Sequence, residues 1–148
     1  MLELRKITSS IEETMSFGTH LGERLPSGSV VLLYGDLGMG KTTLVRGVAR
    51  GLHIDEKVQS PTFNIMKLYL KGDRPLIHID AYRLNEGNSD IGLEEYIGYE
   101  AGLTFIEWPM YIKNLLPKDV IEVHINYATD NKREFVITGN DEIVKELM

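Results

Sequence analysis

Residues 35–42 read Gly35-Asp36-Leu37-Gly38-Met39-Gly40-Lys41-Thr42, a full match to the pattern GxxxxGK[ST]. Each fixed position has a chemical reason. Glycines let the backbone curl so that successive N–H groups converge on phosphate oxygens. A helix starting at Lys41 brings the positive end of its dipole to the same anion. The Lys41 ammonium then reaches the terminal phosphates of a nucleotide. The Thr42 hydroxyl is the expected ligand for magnesium, with Thr43 directly behind it. Asp36 reads as a residue that bonds the loop's own backbone, with approach to the reacting phosphate as the alternative. A loop of this kind also needs a carboxylate near the ion, usually at the end of an apolar strand. Leu76-Ile77-His78-Ile79-Asp80 supplies one, and Leu103-Thr104-Phe105-Ile106-Glu107 a second with the same grammar. Sequence leaves open which of Asp80 and Glu107 holds the metal and which orients water.

Softer signals surround this set. Ser60-Pro61-Thr62 falls just after the helix that follows the loop, where nucleotide switches place a Thr that senses the terminal phosphate. Trp108, the single Trp, follows Glu107 and suits stacking on a base, docking of a partner or plain packing. His78 alternates with Ile77 and Ile79, so it reads as a packed or surface histidine rather than a catalytic one. Lys132-Arg133 reads as a solvated charge pair at a hairpin tip.

The elements that must position these residues follow from periodicity. Residues 2–7 alternate apolar and charged, which predicts a half-exposed strand. Ser10 with Glu13 forms a capping box, and helical spacing runs from there to the Pro26-Ser27-Gly28 turn. The continuous apolar run 30–34 fits a strand buried on both faces of a parallel sheet, delivering the chain to the glycine loop. A second helix runs from Lys41 to Leu52. Residues 62–70 and 76–80 read as two strands around Lys71-Gly72-Asp73. Polar residues 85–90 predict a mobile loop, and residues 93–101 a helix weakened by glycines. Strand 103–107 stops at Trp108-Pro109. An antiparallel hairpin, 120–127 with 134–138 around Asp130-Asn131-Lys132, precedes a last helix, 142–148. Strands and helices alternate over residues 1–148. The expected architecture is therefore a single α/β domain: a mixed sheet with a parallel core and antiparallel additions, helices on both faces.

Composition narrows the function classes. The chain has 148 residues, 43% hydrophobic and 26% charged, as suits one soluble globular domain. With 22 Asp plus Glu against 16 Lys plus Arg, the formal net charge is −6. Such a surface repels phosphate backbones, which argues against a stand-alone grip on DNA or RNA. The absence of Cys excludes disulfides, zinc–thiolate sites and thiol nucleophiles. No apolar run approaches the ~20 residues that cross a bilayer, and residues 1–10 carry no signal-peptide core, so a cytoplasmic protein without membrane contact is expected. A GTPase would carry Asp-x-x-Gly where this chain has Asp80-Ala81-Tyr82-Arg83, and Asn-Lys-x-Asp where it has Asn131-Lys132-Arg133-Glu134. A small-molecule phosphotransferase needs an arginine-bearing lid, for which only Arg83 and Arg133 stand out; it remains the alternative enzyme. A module whose docking is gated by nucleotide is the alternative from another class.

Four motifs in order, Tyr34 to Thr43, Ser60-Pro61-Thr62-Phe63, His78-Ile79-Asp80-Ala81-Tyr82-Arg83-Leu84 and Ile106-Glu107-Trp108-Pro109, make the chain similar to the bacterial TsaE family. These are the ATPase subunits of tRNA threonylcarbamoyladenosine biosynthesis, compact domains built around a phosphate-binding loop. The resemblance spans nearly the whole chain. It implies ATP (with ADP as product) and Mg2+ as ligands, weak hydrolysis alone, and the TsaD and TsaB proteins as partners, with tRNA met mainly through their complex. Carried over residue by residue, the loop Gly35–Thr43 and Lys41 hold phosphates, Thr42 and Glu107 hold magnesium, and Asp80 acts where ion and phosphate meet. Thr62 matches the switch-like Thr, and Trp108 belongs to the Glu-Trp-Pro element near the nucleotide. Ile11 and Arg133 match positions on the nucleotide's outer side. Met39 departs from the family pattern, which has a smaller residue there.

Overall fold

The computed structural model describes residues 2–35, 40–61, 65–86 and 92–148. Asp36 to Met39 and Thr62, together with part of the 85–90 loop, lie outside the described residues.

A seven-stranded sheet runs through these residues in the order β1-β7-β6-β2-β5-β4-β3. Its centre is parallel: β2 (Val30–Tyr34) pairs with β5 (Leu103–Glu107) on one side and β6 (Ile121–Tyr127) on the other, and β4 (Leu76–Asp80) pairs with β5. Both edges are antiparallel. β3 (Met66–Tyr69) folds back on β4, while β7 (Arg133–Thr138) pairs with β6 and with β1 (Glu3–Thr8). The expected mixed sheet is thus present. The reason lies in the apolar runs: β4 and β5 are buried at every position and β2 at four of five, as strands covered on both faces must be.

Cover on the two faces differs in kind. Helices α1 (Ile11–Arg24), α2 (Lys41–Gly51) and α3 (Asp141–Leu147) share one face, where Phe17, Leu21, Leu44, Val48 and Leu147 pack with Leu33, Phe105 and Phe135. On the other face short 3-10 segments, Tyr82–Glu86, Leu93–Glu95 and Pro109–Leu115, set Leu84, Leu93 and Ile112 on Leu32, Ile77 and Ile106. The helix expected over 93–101 is one such turn. Gly92 and Gly98, both at positive φ, interrupt the ladder that a helix would need. The strand expected over 62–70 is described only from Met66.

Helix α1 starts as its sequence predicts, with one change. Ser10 Oγ accepts the Glu13 N–H at 3.1 Å. The Glu13 carboxylate, however, accepts from the N–H and hydroxyl of Ser9, one residue earlier than a capping box requires. Those bonds from Ser9 hold the Glu13 carboxyl below the usual carboxylate range.

Helices α1 and α2 approach backbone to backbone at their glycines. A Cβ on Gly47 would stand 2.2 Å from the Met15 carbonyl oxygen, one on Gly18 2.3 Å from that of Leu44, and one on Gly51 2.4 Å from that of Thr19. Glycines on both helices therefore set how closely the helix carrying Lys41 approaches its neighbour. At the far end of α1, Arg74 from the β3–β4 turn donates to the carbonyls of Gly22 and Leu25, each at 2.7 Å. A cation there complements the helix dipole.

Candidate nucleotide site

Strand β2 ends at Tyr34, and the chain re-enters the described structure at Gly40, whose φ of +100° places it in the left-handed region. No atom of the described residues would clash with a Cβ there, and the backbone angle itself calls for glycine. α2 begins at the next residue, and its first-turn N–H groups open beside the C-terminal ends of β4 and β5. In open α/β sheets, ligands bind in this crevice.

Lys41 is buried, and its ammonium donates to the Gly35 carbonyl at 2.7 Å while lying 4.2 Å from the centre of the Trp108 ring. Trp108 reaches that place from a left-handed backbone (φ +56°, ψ +49°), uncommon for a bulky residue and of the kind that clusters at functional sites. Its indole also stacks with Tyr111 and tilts against Tyr82.

The two acids meet as the strand grammar predicts. Asp80 and Glu107 are register partners on adjacent parallel strands. They share the face on which Leu76, Leu103 and Phe105 pack under the helices, so both project toward the start of α2. Both are nearly fully buried. Asp80 accepts the Tyr82 N–H at 3.0 Å and the Ser60 hydroxyl at 3.5 Å. Glu107 accepts from His78 Nε2 at 2.6 Å.

These residues line one cleft of 590 Å³. Its inner wall holds Gly40, Lys41, Thr42, Thr43, Ser60, Asp80 and Glu107; its outer wall holds Thr8, Ser9, Ser10, Ile11 and Thr14 with Asn131 and Arg133. Ile11, at the first turn of α1, is 73% exposed, an apolar surface at the cleft mouth. Arg133 donates to the Asn131 carbonyl and lies over the Tyr127 ring, and Asp130 and Asn131, both left-handed, form the tip that presents it. The structure thus brings Ile11, Lys41, Thr42, Thr43, Asp80, Glu107 and Arg133 to one site and sets Trp108 against Lys41.

The donors suit a phosphate-bound hard cation. Hydroxyl and carboxylate oxygens match magnesium, which protein binds through one or two carboxylates while substrate phosphates supply further ligands. Among the described residues no three His, Cys, Asp or Glu side chains cluster into a complete cage. Residues 36–39, which would wrap the phosphates, are outside the described structure.

Sequence reasoning did not mark Thr8, Thr14 or Asn131, nor the partner of His78. His78 is packed, one of the two readings its pattern allows, and its ring bonds Glu107. The signal was available, because a polar ring on a strand buried on both faces needs a partner. Thr8 and Thr14, whose hydroxyls pair at 2.7 Å, and Asn131 line the outer wall. No motif marks them, since the strand end, helix and hairpin tip converge only in the fold.

A family model described as "Threonylcarbamoyl adenosine biosynthesis protein TsaE" matches residues 8–135. The tRNA threonylcarbamoyladenosine biosynthesis protein TsaE of Bacillus subtilis (strain 168) is 39% identical over 139 residues, covering 94% of this chain and 87% of that protein. The protein of the same name from Treponema pallidum is 38% identical over 136 residues, covering 90% and 99%. Among solved structures, the crystal structure of Bacillus subtilis YdiB aligns with a TM-score of 0.85 at 33% identity, over 99% of this chain and 94% of that one.

Proposed function

This chain belongs to the TsaE family of tRNA threonylcarbamoyladenosine biosynthesis proteins, and from that premise we propose that it is a magnesium-dependent ATP hydrolase acting with the TsaD and TsaB proteins in the cytoplasm. One observation carries the reading: Lys41 and Thr42, at the start of α2, share a single cleft with the strand-end carboxylates Asp80 and Glu107. Lys41 takes the terminal phosphates, leaving the Gly35 carbonyl for a stronger charge-assisted partner. The N–H groups at the start of α2 face the same oxygens. Thr42 and Glu107 would hold the ion, and Asp80 acts where ion and phosphate meet. Magnesium held there would supply positive charge to offset that of the terminal phosphates. Water attacks the γ-phosphorus, the bond to the β-phosphate oxygen breaks, and ADP and phosphate leave. Ile11, Arg133 and Trp108 flank the nucleotide's outer parts.

The chemistry ends with hydrolysis. The transfer to adenosine belongs to the partners, and tRNA is met through them. A net charge of −6 agrees with that division, since the partners would supply the cations that grip an RNA backbone.

The test is ATP turnover with magnesium, first alone and then with purified TsaD–TsaB. Weak turnover alone and strong stimulation by the pair are expected. Turnover that stays flat with the pair but rises with a small phosphoryl acceptor would replace this reading with the phosphotransferase one.

A further inference from the structure

Among the described residues, His78 is the one buried titratable side chain beside the cleft that the proposed chemistry does not use. Its side chain is fully enclosed, and its Nδ1 is the single buried side-chain nitrogen or oxygen without a hydrogen-bond partner among the described residues. On packing grounds the position favours a hydrocarbon. β4 is buried at every residue, Leu76 precedes His78 on the same face, and the register partner of His78 is Phe105. A leucine would fill that space and leave no polar nitrogen unsatisfied. What the imidazole adds is its second nitrogen, 2.6 Å from Glu107 Oε2.

The bond runs diagonally, from β4 to a residue two positions further along β5, and so it fixes a direction. We propose that His78 is a positioning residue: its Nε2–H holds Glu107 Oε2 so that the other carboxylate oxygen, Oε1, is presented to the cleft. Without that bond the glutamate has two carbons of rotational freedom and a carboxylate oxygen buried without a donor. With it, Glu107 matches Asp80, whose carboxylate is likewise oriented from behind by the Tyr82 N–H. Carboxylates that hold ions are commonly oriented in this way, and loss of the orienting partner weakens the metal rather than the fold alone. The inference rests on the reading that Glu107 serves the magnesium–nucleotide site.

The test uses the full chain, a slowly hydrolysed ATP analogue and magnesium titrated at fixed analogue, with Trp108 fluorescence or calorimetry as the readout and thermal melts alongside. Variants are His78→Leu, His78→Asn, His78→Gln and Glu107→Gln. Leu removes the donor. Asn carries one that stops at the distance of the imidazole Nδ1, whereas Gln carries one at the distance of Nε2. Half-saturating magnesium should rise by about tenfold or more in the Leu and Asn variants. Binding of the analogue without magnesium should hold, and Gln should restore most of the magnesium affinity. The Asn and Gln pair settles the matter if the Leu variant does not fold. Leu or Asn variants that melt earlier yet bind magnesium normally would overturn the positioning role while Glu107→Gln still loses the ion. A Glu107→Gln variant with unaltered magnesium dependence would overturn the site assignment itself, and this inference with it.

Discussion

A nucleotide would have to compete for Lys41 with the Gly35 carbonyl at 2.7 Å and the face of Trp108 at 4.2 Å. Phosphate outcompetes a neutral carbonyl because hydrogen bonds between charged groups are roughly twice as strong as neutral ones. The side chain is nearly enclosed, so its charge acts where water screens little. Lys41→Ala removes two or three charge-assisted contacts, worth about 3–5 kcal/mol together, and should weaken ATP by on the order of 10²–10⁴-fold. Calorimetry with ATP and magnesium measures this directly, and affinity within a few fold of the parent would show that the phosphates lie elsewhere. Trp108 bears on the same point: a left-handed tryptophan is held only by surroundings that over-determine it, and here those are Lys41, Tyr82 and Tyr111.

Glycines that face a partner backbone make the α1–α2 contact an unforgiving one. Gly47→Ala would drive a methyl carbon to 2.2 Å from the Met15 carbonyl, which is backbone and cannot rotate away. The helices must part, and overpacking of this kind costs about 1–3 kcal/mol against a gain in helix propensity of ~1 kcal/mol. The urea midpoint should fall, and ATP should bind less tightly, because Ser10 and Ile11 on α1 and Lys41 on α2 face each other across the cleft. A variant as stable as the parent would mean that the contact is looser than the geometry states. This contact also shows where sequence legibility ends. Gly18 and Gly22 fall at helical spacing; only the partner helix reveals what their missing Cβ atoms admit. Strands were more legible, because an apolar run ended by an acid, as in Leu76–Asp80 and Leu103–Glu107, states both burial and the place where burial stops. The segment 93–101 misled for the opposite reason. Its apolar residues serve a 3-10 turn and a loop, with Leu93 buried and Gly98 at φ +83°, and periodicity alone does not separate these from one helical turn. His78 was legible in principle, but its partner lies on another strand.

At the scale of the whole molecule the cleft joins two parts of the sheet that contact each other mainly through β2 and β6. One wall comes from the parallel centre and α2, with Lys41, Asp80 and Glu107; the other comes from α1 and the antiparallel end, with Thr8, Asn131 and Arg133. The antiparallel end is the more exposed of the two. β1 is an edge strand with one buried residue in six, and the hairpin tip at Asp130 and Asn131 is open to solvent. Such a region opens locally more readily than the strands at the centre. A ligand that spans both walls is bound only when they are closed, so its affinity adds to the stability of that edge as well as to the global one. At a free concentration of 100 times its dissociation constant, magnesium–ATP should add about 2.7 kcal/mol, a rise in melting temperature of roughly 5–10 °C for a domain of this size. Hydrogen exchange would locate the effect. Slowing should appear at the start of α1 and around residues 130–133 as well as at α2, whereas slowing confined to α2 would mean that the nucleotide stays on the inner wall and that Ile11 and Arg133 take no part in holding it.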